Sequence, residues 1–282
     1  MPDFPSPVVT YRKAKLRVAE VFFDGRGADA VDVVRYKFRA CPVPGSRWTT
    51  FYTLWFNLED SPKSLLSRMS RATRSQIRRA STEGFRYEFA STPTSTWIEE
   101  FFDFHDSFAQ SKNLNSPVDR RRVLALLSQN ALDLSRISSP DGRVLVWHAN
   151  LRSGRHACCL YSASLFRREA KSMAAYIGRA NRLHHWSDML RFRDEGFAVY
   201  DFGGWYPGTE NQPLLRVNRF KKSFGGELVL QYNCDEGVTW KGALALWLRA
   251  HVFETQFVKA SGLWDFHANT ASAPKTDVSC SF

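Results

Sequence analysis

The most restrictive feature of the 282-residue sequence is a pair of aromatic, glycine-containing segments towards its C-terminal end. Tyr200–Gly204 (YDFGG) places an acid and two glycines at the end of an apolar strand pattern, and Phe220–Gly226 (FKKSFGG) places two lysines between phenylalanines. Glycines allow a backbone or a ligand to approach closely, and ligands of α/β folds gather at strand ends. A strand followed by an ordinary glycine turn fits the first segment equally well.

A lysine held among the aromatic rings of the second segment would be partly desolvated. Such a lysine could stabilise negative charge on a carbonyl oxygen during acyl transfer. A solvated pair of surface lysines accounts for the same residues. The segment alone does not decide between the two interpretations.

The order of predicted helices and strands indicates the fold class. Residues 8–58 are rich in β-branched and aromatic residues. The predicted strands cover 31–38, 49–56, 85–89, 143–149, 156–166, 172–177, 197–202 and 227–232. The predicted helices cover 62–84, 96–111, 119–135, 182–195 and 239–259. This order predicts an α+β or α/β protein whose sheet is covered by helices.

The predicted helix over 62–84 carries a run of arginines. Ser61 is suited to the N-cap, Pro62 to the first helical position and Gly84 to the C-terminal end. An apolar face is opposed by five arginines, which are Arg68, Arg71, Arg74, Arg78 and Arg79. Arginines without nearby carboxylates repel one another unless an anion compensates, so this stripe is a candidate phosphate-contacting surface. A solvated basic face is the alternative.

The segment Tyr176–Trp186 (YIGRANRLHHW) is predicted to form a strand end, a glycine bend and a helix start capped by Asn181. A helix N-terminus has unpaired N–H groups that can hold a phosphate or a developing oxyanion. Arg179 and Arg182 would add positive charge there. Such bends are also common in strand–helix turns that bind nothing.

The histidines of this segment are weaker candidates for chemistry. His184 and His185 lie in the predicted helix with Asp188 close by, so a metal site or an acid–base pair is imaginable. No third ligand is near in sequence, and His105–Asp106 has the same weakness. We therefore predict no metal site.

Composition points to an anionic partner and an intracellular location. The formal charge is +11, from 39 Lys and Arg against 28 Asp and Glu, which favours RNA, a phosphorylated cofactor or a membrane surface as a partner. The five cysteines include no CxxC pair, a pattern typical of reduced intracellular proteins. The sequence shows no signal peptide and no membrane span, so we expect the protein in the cytoplasm.

Three motifs in one order resemble those of FemAB-like proteins. These proteins are relatives of GNAT acetyltransferases and include the tRNA-dependent peptidyltransferases of peptidoglycan bridge synthesis. Asp201–Gly204 resembles their Asp-Phe-x-Gly strand end, Phe220–Gly225 their Phe-Lys-x-x-Phe-Gly stretch, and Arg74–Gly84 the end of an upstream helix. Arg182–Phe197 resembles their penultimate helix. The likeness extends over roughly residues 50–230.

The resemblance implies two GNAT-like halves, the first of them reduced, and acyl transfer onto an amine. We assign 8–90 to the reduced half, 91–262 to the acyltransferase half and 263–282 to a loose tail. Lys221 matches the lysine that stabilises the transferring carbonyl, and Asp201 would orient a lysine or the amine. The predicted donor- or substrate-binding residues are Tyr176, Arg179, Asn181, Arg182, Gly203, Gly204, Trp205, Phe220 and Lys222.

The donor is the least determined part of the expected function. The GNAT pyrophosphate loop is reduced to Gly178-Arg179-Ala180, which favours aminoacyl-tRNA as a co-substrate, with no bound cofactor, over acyl-CoA. The acceptor would be an amine of a peptide, a peptidoglycan precursor or a natural product. An acyltransferase that uses acyl-CoA or an acyl carrier protein is the alternative, and a non-catalytic RNA-binding module is a third. An arginine-lined cleft would indicate tRNA, and a narrow V-shaped slot between two strands would indicate pantetheine.

Overall fold

The computed structural model describes residues 5–112, 118–165 and 170–250. Within these ranges the strands are β1 (Val8–Lys13), β2 (Leu16–Phe22), β3 (Val33–Arg39), β4 (Arg47–Asn57), β5 (Arg86–Ala90), β6 (Leu132–Ser138), β7 (Val144–Ser153), β8 (His156–Ser164), β9 (Val199–Gly204) and β10 (Glu227–Gly237). The helices there are α1 (Pro62–Arg68), α2 (Arg71–Ala80), α3 (Ser95–Ser111), α4 (Arg120–Ser128), α5 (Lys171–Asp194), α6 (Gln212–Lys222) and α7 (Trp240–Leu248). The predicted tail and the end of the predicted helix over 239–259 lie outside the described residues.

All ten strands form one sheet in the order β1-β2-β3-β10-β4-β9-β8-β7-β6-β5. The pairs β2–β3 and β8–β9 are parallel, and the other neighbours are antiparallel. The last strand, β10, lies between β3 and β4, so early and late parts of the chain share the sheet. The predicted α+β class is confirmed. The domain boundary near residue 90 stays a prediction.

Side chains alternate between the two faces of the sheet, as the period of two residues requires. Trp147 and Cys158 belong to a core with α3 and α4, which contribute Phe101 and Leu126. On the other face, Cys159 packs in a core with residues of α1, α2 and α5. In the part of the chain that is described, no helix has both the length and the apolar character needed to cross a bilayer.

The arginine-bearing segment is two helices, so the predicted single helix over 62–84 is wrong. Ser61 does cap α1, but Met69 and Ser70 are extended, with ψ values of 152° and 150°. The Ser70 side chain accepts a hydrogen bond from Thr73 N, and Ser70 N donates to Ser223 O at 2.8 Å. A second N-cap therefore competes with helix continuation and starts α2 anew.

The predicted strand over 172–177 is helix, because α5 runs without a break from Lys171 to Asp194. Gly178 is tolerated within it, since a glycine in a helix costs only about 1 kcal/mol and the buried Ile177 and Ala180 pack against the sheet. The predicted glycine bend and the cap at Asn181 are therefore wrong.

The predicted helix over 119–135 is also too long. It ends at Ser128, and Asn130 has a left-handed φ of 52°, a conformation that commonly terminates helices. The chain then enters β6, whose Leu132 and Leu134 face one core while Asp133 and Ser135 face α5.

The glycine pair of FKKSFGG has a structural role that can be tested. Gly225 has a φ of 88°, and a Cβ atom there would collide with the backbone oxygen of Arg68. Gly225→Ala should therefore lower the free energy of unfolding by more than the roughly 1–3 kcal/mol of backbone strain alone. Chemical denaturation measures the loss.

Gly45→Ala is the matched control for this variant. Gly45 has a φ of 75°, but nothing lies within 4 Å of the position of a Cβ atom. This variant carries the strain without the collision. Equal losses in the two variants would contradict the close approach of α1 to the end of α6.

Candidate functional site

The parallel strands β8 and β9 separate at one end. They pair at His156–Val199, Ala157–Tyr200 and Cys158–Asp201. Both strands then continue, to Ser164 and Gly204, with β8 paired to β7 and β9 paired to β4. The pairing of β8 with β9 therefore ends at Cys158 and Asp201, and we call the unpaired region beyond it the V-shaped gap.

Asp201 holds the β9 side of this gap. Its carboxylate accepts hydrogen bonds from Trp55 Nε1 at 3.0 Å, from Gly203 N at 2.7 Å and from the Thr53 hydroxyl. Burial raises the pKa of Asp201, although these donors oppose the shift. The contacts of Asp201 tie β4 to the strand end. Its predicted role of orienting a lysine or the amine stays a prediction.

Lys221 lies at the same strand end. Its Nζ donates to Gly203 O at 3.1 Å and to Gly204 O at 2.6 Å. Desolvation lowers the pKa of this lysine, while the neighbouring Cys159 and Asp201 act in the opposite direction. Gly203 has a φ of 69°, and a Cβ atom there would be 2.9 Å from Cys159 O, so only glycine fits where the gap begins. The structure thus joins the two sequence motifs at one place.

Aromatic rings surround His185 beside this lysine. The His185 ring lies 5.1 Å from Phe202, 5.7 Å from Phe220 and 5.6 Å from Phe224 between ring centroids. Burial holds the pKa of His185 well below its usual value, so the ring is neutral near pH 7. The sequence pattern gave this residue little weight as a functional group. His185 lies four residues before Met189 and seven before Phe192, a spacing that places the three side chains on one buried face of a helix.

Arg182 packs against one of these rings. Its guanidinium lies over Phe220, 4.8 Å from the ring centroid, and donates to Gly178 O at 3.1 Å. Its buried Nε has no hydrogen-bond partner among the described residues, and desolvation lowers the pKa of the group. A partly buried guanidinium without a counter-charge favours a bound anion.

The other predicted residues of α5 have different surroundings. Arg179 forms a two-point salt bridge with Glu83, at 2.9 and 2.7 Å, so its charge is balanced within the protein. Tyr176 packs on Phe85 with 4.6 Å between the ring centroids. Asn181 Oδ1 faces His148 Nε2 at 3.2 Å, which directs it towards the sheet. These three contact parts of the fold other than the strand end.

Two further predicted residues flank the gap. Trp205 follows β9 directly, and its backbone N–H donates to Tyr52 O at 2.6 Å. Lys222 is exposed, and its Nζ donates to Gly226 O at 2.9 Å. Both therefore lie next to the strand end that holds Lys221.

The five arginines of α1 and α2 do not behave alike. Arg68 pairs with Asp60, and Arg79 pairs with Glu83 at 3.0 Å, so the expectation that no carboxylates are near is wrong for these two. Arg74 donates to Ser67 O at 3.1 Å and to Met69 O at 2.6 Å. Arg71 and Arg78 are exposed, and neither forms a salt bridge within the described ranges.

The start of α2 and the end of α6 adjoin each other. Thr73 Oγ1 donates to Ser223 Oγ at 2.8 Å, in addition to the backbone bond from Ser70 to Ser223. Near this contact, α2, α5 and α6 carry four cations that we call the basic rim: Arg71, Arg182, Arg219 and Lys222. None of the four forms a salt bridge with a described carboxylate.

Comparison with known proteins supports the same fold. The sequence matches the family described as acetyltransferase (GNAT) domain over residues 67–222, more than half of the chain. The structure is similar to that of FemX, with a TM-score of 0.61 and 12% identity over 85% of each chain. No curated protein sequence matches the chain.

Two further proteins have similar structures. The C-terminal (DUF2156) domain of a putative lysylphosphatidylglycerol synthetase from Agrobacterium fabrum gives a TM-score of 0.51 at 12% identity, over 85% of this chain and 83% of that one. L-PGS from Bacillus licheniformis gives 0.52 at 10% identity, over 87% of each chain. Identities this low show a shared fold. The family match shows that the chain belongs to the GNAT acetyltransferase family and is an acyltransferase, and the fold that it shares with FemX agrees with the resemblance to FemAB-like proteins.

Proposed function

We propose that this acyltransferase moves an aminoacyl group from aminoacyl-tRNA to an amine of a small molecule or peptide. The observation that carries the proposal is the position of Lys221, at the opening between β8 and β9 and next to the basic rim. A cation at the reacting carbonyl and unpaired cations around it suit a polyanionic donor.

The hydrogen bonds of Lys221 suggest how it acts. An ammonium group has three N–H donors, and two of them bind Gly203 O and Gly204 O. The third remains for the oxyanion that forms when the acceptor amine attacks the ester carbonyl. The C–N bond forms, the ester C–O bond breaks, and the ribose hydroxyl leaves with a proton from the attacking amine. Helix-end N–H groups near Asn181 take no part, because α5 is continuous there.

The basic rim supports a nucleic-acid donor in particular. Arg71 lies on α2, outside the gap, while Arg182 lies over the aromatic cluster. Cations on three helices near Lys221 suit a donor that carries several phosphates, such as the acceptor end of a tRNA. One of the proteins with a similar fold is named as a putative lysylphosphatidylglycerol synthetase, and a lysyl-bearing lipid product agrees with aminoacyl transfer.

A second candidate is an N-acyltransferase that uses acyl-CoA or an acyl carrier protein. The V-shaped gap favours it, because a narrow opening between two parallel strands suits a pantetheine arm. Arg182 could then contact the pyrophosphate. Calorimetric titration with uncharged tRNA and with coenzyme A separates the two donors, and tight binding of coenzyme A alone would replace the first proposal with the second.

Replacement of Lys221 tests its chemical role. Lys221→Ala should lower kcat by about 10²-fold or more, the usual effect of removing an oxyanion-stabilising group. Lys221→Arg, which keeps the charge, should retain more activity. The assay follows transfer from a mixed pool of radiolabelled aminoacyl-tRNAs to a small primary amine. Full turnover by Lys221→Ala would exclude this role.

The pH dependence follows from the direction of the pKa shift. The ammonium form is present below the pKa of Lys221, and desolvation moves that pKa below the usual 10.5. The activity of the native enzyme should therefore fall on the alkaline side at a lower pH than for an ordinary lysine. Lys221→Arg should remain active to higher pH. If the activities of the two proteins fell over the same alkaline pH range, deprotonation of Lys221 would not be the cause of the loss.

Charge reversal on α2 tests the donor. Arg71→Glu/Arg78→Glu should weaken tRNA binding. The slope of the logarithm of the binding constant against the logarithm of the salt concentration should become shallower by about one unit for each phosphate that the variant no longer binds. The control, Arg26→Glu/Arg121→Glu, makes the same change in net charge at exposed positions away from α2 and α6. Equal affinities for tRNA in the two double variants, measured by filter binding, would show that α2 does not contact the nucleic acid.

A further inference from the structure

A cluster of buried metal-ligating side chains lies behind the base of the V-shaped gap. His148 comes from β7, Cys159 from β8 and His185 from α5. One potential ligand atom from each residue lies within 4.8 Å of the other two, and none of the three residues is more than 7% exposed. The sequence alone predicted no metal site because it lacked a third ligand, which the pairing of β7 with β8 supplies.

The hydrogen-bond partners of His148 point to a cation. Its Nδ1 lies 2.8 Å from Asp188 Oδ2, and its Nε2 lies 3.2 Å from Asn181 Oδ1. Both oxygens are acceptors, whereas a neutral imidazole carries a single N–H. One of the two contacts therefore lacks a proton when the ring is neutral and the amide has this orientation. The ligands of a tetrahedral zinc ion lie about 3.4 Å apart, close to the second of these distances.

Asp188 has the arrangement of an outer carboxylate at a metal site. It is buried and also accepts hydrogen bonds from Tyr87 OH at 2.7 Å, Ser135 Oγ at 2.9 Å and Asn150 Nδ2 at 3.3 Å. A carboxylate on one nitrogen of a histidine fixes the ring and leaves the other nitrogen free to bind a metal. The Tyr200 hydroxyl, 2.9 Å from His185 Nδ1, fixes the second ring.

We propose that this cluster is a zinc site with His148, Cys159 and His185 as ligands and the Asn181 amide oxygen as the fourth. Two imidazoles and a thiolate are ligands that zinc prefers, and four protein ligands make a closed, structural site. The thiolate and the Asp188 carboxylate together balance the charge of the divalent ion. Such an ion would fix the positions of β7, β8 and α5 at the base of the gap.

The experiment measures metal directly. The full chain, expressed with added zinc and purified without chelator, should contain close to one zinc ion per molecule by mass spectrometry of the elements. Protein stripped with a chelator and titrated with Co²⁺ should show thiolate-to-cobalt charge-transfer absorption. Added Zn²⁺ should raise its melting temperature.

Adjacent cysteines provide the matched pair of variants. Cys159→Ser and His185→Gln should abolish the cobalt absorption, whereas Cys158→Ser should keep it, because Cys158 is also buried but packs in the core on the opposite face of the sheet. Circular dichroism confirms that each variant is folded.

Two results would overturn the proposal. One is native protein that takes up neither Zn²⁺ nor Co²⁺, a measurement that needs no variant. The other is a cobalt signal that survives Cys159→Ser or disappears equally in Cys158→Ser. In either case the cluster would be a hydrogen-bonded network with His148 protonated or the Asn181 amide reversed.

Discussion

The hydrogen bonds of Asp201 are the interaction on which the rest of the site depends. Burial of a carboxylate is costly unless donors surround it, and Thr53, Trp55 and the Gly203 N–H all do so. They hold β9 to β4 at the point where β9 leaves β8, so the carbonyls of Gly203 and Gly204 are fixed for Lys221. Without this anchor the ammonium group of Lys221 would lose its fixed acceptors at the gap.

A second constraint connects the basic rim to that anchor. Gly225 lets the end of α6 touch the backbone at the end of α1, and Ser223 binds the first turn of α2. The position of Lys221 on α6 and that of Arg71 on α2 are therefore determined by the same contact. The tight turn after α6 thus fixes the relative positions of Lys221 and Arg71, which are 150 residues apart in sequence.

Several of these features could be predicted from the sequence, because they depend on local patterns. The strand over 49–56 and the buried strand ending at Gly204 follow from β-branched and aromatic residues, whereas the contact of Lys221 with that strand end was not predicted from the two motifs. The break between α1 and α2 was not predicted, because the N-cap residue Ser70 is the only sign of it in the sequence. The start of β6 was not predicted, because its leucines also fit the apolar face of a helix.

Other features depend on tertiary structure and have no local signal. The carboxylate partner of Arg179 is Glu83, which follows α2 and lies 96 residues earlier in the chain, so the sequence around Arg179 does not show that its charge is balanced. The meeting of His148, Cys159 and His185 depends on the register of β7 with β8 and on how α5 lies across them. No spacing within a single segment predicts such a group.

The positions of the charged groups near the gap affect which acyl donor the site can bind. Arg182 and Lys221 lie towards the opening, while Asp201 is buried behind the lysine and acts to raise its pKa. Because Asp201 is already bound by three donors, it favours the protonated form of Lys221 without neutralising it through a salt bridge. In the proposed function, a pyrophosphate would use only the cations next to the gap, whereas Arg71 and Arg78 on α2 would add contacts for a longer polyanion such as tRNA.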